Sequence, residues 1–138
     1  MGKTVLYRLL GVGKLPRRYA ARLEQEGIVI TDEGFGGSVV LRSFRAPGRR
    51  HSYKQSWFTG SFALTQKTFA VFAFSRPIVL IGVDDERLQE LHCSADHSTF
   101  HVSFDASKFH ESWSGSVECR LRTAKARQLL SRLEQLGP

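Results

Sequence analysis

Five side chains able to hold an anion crowd into the stretch "RAPGRRHSYK": Arg45, Arg49, Arg50, His51 and Lys54, set around Pro47-Gly48. Proline followed by glycine is turn chemistry, so the segment reads as a hairpin tip. Planar guanidinium groups match phosphate oxygens two donors at a time, and the backbone N–H groups of a hairpin add to a concave anion site. Arg42 stands further down the incoming strand. Beside an anionic surface such a cluster gains about 1 kcal/mol per charge, which suffices for weak, salt-sensitive docking. The plainer reading is a solvated loop that tolerates cations because nothing opposes them.

A second dense stretch, "HCSADHSTFH", carries His92, Cys93, Asp96, His97 and His101. Its His-x3-His spacing would make a metal pair only on a helix, and the segment alternates like a hairpin. With Asp96-His97 as a two-residue turn, residue 92 pairs with 101 and residue 93 with 100. Leu91, Cys93, Phe100 and Val102 then point inward together, while His92 and His101 stand side by side in solvent. Cys93 would lie on the opposite face from both. No metal and no cofactor are expected. "LLGVGKL" lacks the second spacing glycine and the Ser/Thr after Lys14 that a phosphate-binding loop needs, so it reads as a linker. Catalytic Ser/His/Asp or Cys/His sets can be drawn from any chain with five histidines. None here sits in a nucleophile elbow or a similar setting, so no enzymatic activity is expected.

These residues need elements to position them. Leu15, Tyr19 and Leu23 recur every four residues between Pro16 and Gly27, which predicts a helix over 15–26. Upstream, Val5, Leu6, Leu9 and Leu10 could make one or two apolar helical turns. From Ile28 the pattern turns β-like: "IVIT", a turn at "DEGFGG", then "SVVLRSFR" leading into the Pro47-Gly48 tip. "HSYKQSWFTGSFALT" follows, with Gly60 as a bulge or bend, and then "TFAVFAF" and "PIVLIGV". "LQELHCS", "TFHVSF" and "GSVECRL" complete the strands. "TFAVFAF" is apolar on both faces, so one face needs a cover beyond the main core, and the Leu15/Tyr19/Leu23 stripe is the candidate. A helix over 123–136 closes the chain, with Thr123 as N-cap and Ala126, Leu129, Leu130, Leu133 and Leu136 as one stripe. The expected architecture is mainly β: a curled antiparallel seven-stranded sandwich or barrel capped by a C-terminal α-helix. Residues 1–27 form an N-terminal helical extension packed on a domain of residues 28–138.

The formal charge is +7, and it is uneven. Residues 1–58 carry 11 Lys+Arg against 4 Asp+Glu, whereas residues 59–138 carry 9 of each. An excess confined to one part of the chain suggests an anionic partner there, although solubility alone would also account for it. No apolar run is long enough for a membrane span. Arg8 interrupts the only short apolar stretch near the N-terminus and no small-residue cleavage site follows, so a cytoplasmic protein is expected, with peripheral contact at the inner face of the membrane open to it. Cys93 and Cys119 each fall between alternating apolar residues and read as core thiols; a disulfide between them stays open.

Seven strands followed by a capping helix resemble the pleckstrin-homology (PH)-like superfold, over about residues 28–136. "GSFALTQKTFAVFAF" is similar to the G-x-x-x-L-T hairpin of GRAM and bacterial PH-like proteins. The resemblance implies that phosphoinositide headgroups would bind at the loop joining the first two strands, here Ala46 to His51. Arg45 takes the lysine-like place of the family's K-x(n)-[K/R]-x-R pattern and Arg49-Arg50 crown the turn, but no [K/R]-x-R follows. Two functions are therefore expected in competition. One is an anion-binding module that contacts a phospholipid headgroup or a phosphorylated partner through Arg45, Arg49, Arg50, His51 and Lys54. The other is a protein-interaction scaffold that binds a peptide at a sheet edge or beside the C-terminal helix, without lipid. Nucleic acid is the poorer fit, because there is no recognition helix and the aromatics fall mostly in core-like alternation.

Overall fold

A computed structural model describes residues 3–4 and 13–136. The apolar turns read at Val5, Leu6, Leu9 and Leu10 lie outside the described residues. The elements run α1 (Arg17–Gln25), β1 (Ile28–Ala46), β2 (Arg49–Thr65), β3 (Thr68–Ala73), β4 (Arg76–Gly82), a 3-10 turn (Glu86–Glu90), β5 (His92–Ala95), β6 (Phe100–Asp105), a second 3-10 turn (Ala106–Lys108), β7 (Ser114–Leu121) and α2 (Ala126–Glu134). All seven strands join one curled antiparallel sheet in the order β4-β3-β2-β1-β7-β6-β5. Phe69 of β3 meets Phe100 of β6 edge-on, with ring centroids 6.5 Å apart, so the two ends of the sheet curl over a shared core. Ala126 and Leu129 of α2 complete that core from the open side, while Leu136, at the end of the expected stripe, is exposed.

β3 is buried on both faces, for two different reasons. Phe69 and Val71 point into the main core. Ala70 and Phe72 point the other way and form a second cluster with Ala63, Leu23, Leu15 and Tyr19. The stripe of α1 is therefore the cover that this face required, with the Tyr19 and Phe72 ring centroids 5.2 Å apart. Gly27, at φ 84°, ends the helix in a conformation that glycine adopts without strain.

The turn expected at "DEGFGG" is absent, and Ile28 to Ala46 is a single strand. Gly34, at φ 76°, makes a bulge between Glu33 and Phe35 rather than a reversal. Gly37 is glycine because of crowding: a Cβ there would lie 2.5 Å from Cζ of Phe58 and 2.8 Å from the Arg120 carbonyl oxygen. "LQELHCS" is also corrected. The Asp85 carboxylate accepts the Arg87 N–H at 2.9 Å and starts a 3-10 turn, in which Leu88 and Leu91 are spaced for three residues per turn. Only His92–Ala95 remain as strand.

The 3-10 turn and β5 shorten the following hairpin, and its register shifts. The connection spans Asp96 to Thr99, with the Asp96 carboxylate holding the Ser98 and Thr99 N–H groups at 2.8 and 2.7 Å. Cys93 pairs with Val102, His92 with Ser103, and Ser94 with His101. The two histidines face outward as expected but are not cross-strand neighbours. Val102 also pairs with Cys119 on its other side, which leaves the two cysteines two strands apart, roughly 10 Å and beyond disulfide reach. Both are free. Burial pushes the Cys93 thiol up to about 11 and the Cys119 thiol up to about 12.

The start of α2 is tied to β1. Thr123 is not the N-cap residue, which is Lys125. Its hydroxyl instead donates to Asp32 at 2.6 Å and accepts the Lys125 N–H at 3.1 Å, while Lys125 Nζ donates to the Thr31 carbonyl at 2.6 Å. Lys3 pairs with Asp32 at 2.7 Å. Partial burial alone would push the Asp32 carboxyl up, but the hydrogen bonds from Lys3 and Thr123, the Lys3 charge and the Glu33 N–H together hold it below its usual value. A folded pKa below the unfolded one gives stabilisation that is complete above about pH 4 and lost as pH falls through the lowered value. Asp32→Asn is therefore expected to lower the urea midpoint at neutral pH, with the gap to the parent closing in acid. A gap of constant size down to pH 2 would count against this assignment.

Candidate functional site

β1 and β2 form the longest pairing in the sheet, from Ile28 opposite Thr65 to Ala46 opposite Arg49. Pro47 and Gly48 reverse the chain. Gly48 stands at φ 74°, and with proline before it the turn has the type II signature. β3 pairs with β2 only from Gly60 onward, so among the described residues the outer edge of β2 from Arg49 to Phe58 has no neighbouring strand. The last part of the hairpin is an arm, flanked by β7 on the β1 side alone.

On this arm Arg45 stands directly opposite Arg50, Ala46 opposite Arg49, Phe44 opposite His51 and Leu41 opposite Lys54. Like charges at opposed positions repel at close range, which disfavours the bare hairpin. Among the described residues the ion pairs include Lys3–Asp32, Arg22–Glu26, Arg42–Glu118 and Arg87–Asp85. Among the described residues, no carboxylate pairs with Arg45, Arg49, Arg50 or Lys54, all of which are exposed. Arg42, opposite Tyr53, is paired with Glu118 at 2.6 Å.

The five residues read from the sequence do not all converge. A depression of about 200 Å³ is lined by Arg45, Arg50 and His51 together with Ser43, Phe44 and Ser52. Arg49 lies instead over the Phe44 ring, 5.6 Å from its centroid, and Lys54 stands further along the arm. Phe44 is buried and anchors the region. His51 stacks on it at 6.5 Å and Trp113 meets it edge-on at 5.4 Å. Ser43, at φ 49°, lets the strand turn Phe44 inward beside the exposed Arg45.

Two exposed aromatics escaped the sequence reading. Trp57 is 63% exposed and Tyr53 57%, and each carries a guanidinium over its ring, Arg122 and Arg42 respectively, both 5.7 Å from the centroid. Phe58, Gly60, Phe62 and Leu64 form one alternate set in β2, and continuing the opposite set backward from Trp57 places Gln55 and Tyr53 outward. That alternation was the available signal. A second concavity, about 370 Å³, lies between α2 and β5 and is lined by Leu88, Leu91, Cys93, Ala95, Leu130 and Leu133 among others. Among the described residues, no three His, Cys, Asp or Glu side chains are grouped to hold a metal.

No protein-family model, curated protein or solved structure matches this chain.

Proposed function

We propose that the protein is a non-enzymatic binding module whose β1–β2 arm takes a phosphate-bearing ligand, carried by a phospholipid headgroup or by a phosphorylated partner. The observation that carries this reading is the pair Arg45 and Arg50, opposed across the hairpin and, among the described residues, in no ion pair. A bound phosphate would relieve their repulsion and accept hydrogen bonds from both guanidinium groups. Seven antiparallel strands closed by a C-terminal helix, the element order behind the PH-like resemblance, favour the same loop. Among the described residues no helix is long and apolar enough to cross a membrane, so a lipid ligand would be met at its surface.

Co-sedimentation with anionic and neutral vesicles over a salt series tests the proposal. At about 1 kcal/mol per cation near an anionic surface, Arg45→Ala/Arg50→Ala should weaken anionic-vesicle binding by about 30-fold at low salt. A phosphopeptide competing with the vesicles would identify the phosphate, rather than the bilayer, as the recognised group. Vesicle binding unchanged in the double variant would overturn the proposal.

The concavity beside α2 favours a second reading, a peptide scaffold. Its lining sets leucines of both elements beside Gln89, Ser94 and Glu134, and β5 is the last strand of the sheet, so an extended chain could add there. Absence of binding to either vesicle type, together with protection of the α2–β5 region by a captured peptide, would support it.

A further inference from the structure

One row of side chains crosses five strands on the outer face of the sheet. Trp57 of β2 stands opposite Ser38 of β1, Ser38 opposite Arg120 of β7, Arg120 opposite His101 of β6, and His101 opposite Ser94 of β5. The adjacent row, Phe58, Gly37, Leu121, Phe100 and Ala95, belongs to the inner side, and successive residues of a strand alternate. Ser38 is small, so the row sinks at its middle into a depression of about 260 Å³ lined by Trp57, His101, Arg120 and Arg122, with the Arg122 guanidinium over one face of the Trp57 ring. Asp96 also lines the depression, with Oδ1 accepting the Ser98 and Thr99 N–H groups, and Glu118 is paired with Arg42. Among the described residues neither Arg120 nor Arg122 is in an ion pair.

We infer that this face binds single-stranded nucleic acid, with a base stacked on Trp57 and adjacent phosphates held by Arg120 and Arg122. Two demands meet here in one depression: an exposed flat ring and two guanidinium groups that, among the described residues, are in no ion pair. A lipid headgroup or an acidic peptide would use the charges and leave the indole in water. Tyr53, four residues from Trp57 on the same strand and also topped by an arginine, offers a second platform about 13 Å away. That spacing suits a splayed single strand rather than one bound nucleotide. No recognition helix is needed, because the strand is read by stacking and backbone charge. The site is separate from the hairpin depression, with which it shares no lining residue.

The test is fluorescence anisotropy of a labelled short oligothymidylate with the full chain over a salt series, with thymidine monophosphate and inorganic polyphosphate as competitors. Trp57→Ala should weaken binding by about fivefold or more, and Trp57→Phe should restore most of it. Arg120→Gln/Arg122→Gln should flatten the log–log salt dependence by about 1.4. Trp57 is exposed, so these variants should keep the parent's urea midpoint. Equal binding by parent and Trp57→Ala overturns the inference, as does polyphosphate or the mononucleotide competing as well as the oligomer. If Arg45→Ala/Arg50→Ala abolishes oligomer binding while Trp57→Ala leaves it intact, the hairpin is the anion site and this face is not. Loss of vesicle binding alone bears only on the hairpin proposal.

Discussion

Gly60→Ala should destabilise the protein by about 3 kcal/mol, more than a single methyl group added at most positions. A Cβ at Gly60 would run into the carbonyl oxygen of Phe72, and it would sit 2.8 Å from the Phe58 ring. The carbonyl belongs to the β2–β3 ladder, where Gly60 pairs with Ala73, so it cannot swing aside without breaking that pairing. On its other side Gly60 faces Phe35, just past the bulge in β1. The bulge in β1 and the end of the β2–β3 pairing thus fall at one level. Gly48→Ala is the informative control. Nothing lies within 4 Å of that position, so only the left-handed backbone conformation opposes a side chain there, at about 1 kcal/mol. Urea midpoints measure both. Equal losses at the two positions would mean that the close approach at Gly60 does not matter.

Leu23→Asp is expected to cost about 3 kcal/mol and to free α1 from the sheet. Leu23 is fully buried against Ala63, Ala70 and Phe72, and a carboxylate there would have no cation inside the cluster. With the helix released, the outer face of β3 meets water and Phe72 becomes a large exposed ring. Increased binding of an apolar dye and reduced solubility should accompany the drop in stability. Arg17→Asp, on the exposed side of the same helix, should change neither. A soluble Leu23→Asp protein that binds no dye would show that the main core holds without this cover.

Much of this arrangement was legible because it rests on periodicity. The two apolar faces of "TFAVFAF" asked for a cover, and the four-residue spacing of Leu15, Tyr19 and Leu23 supplied it. Pro47-Gly48 marked the hairpin tip because proline and glycine satisfy the two central positions of one turn type. The glycines of "DEGFGG" misled because glycine serves two ends: Gly34 shapes a bulge, and Gly37 makes room for Phe58. Composition does not separate these uses from a turn. The register of the β5–β6 hairpin failed on one side chain, since Asp96 caps a four-residue connection where a two-residue turn was expected. In the hairpin site, the cluster of cations was readable but their convergence was not. Arg45 and Arg50 meet because the register opposes them, whereas Arg49 is diverted onto the Phe44 ring.

The uncovered edge of β2 has a consequence for how copies of this protein meet. A run of strand with free amide and carbonyl groups is an invitation to a second molecule, and edge-to-edge pairing through it would hide the proposed anion site. Arg49, Arg50 and Lys54 fall within that run, so two such edges brought together would set like charge against like. The same cations thereby keep the chains apart, and under the proposed function a polyanion bound along the arm would lift that barrier and draw neighbouring copies into a row.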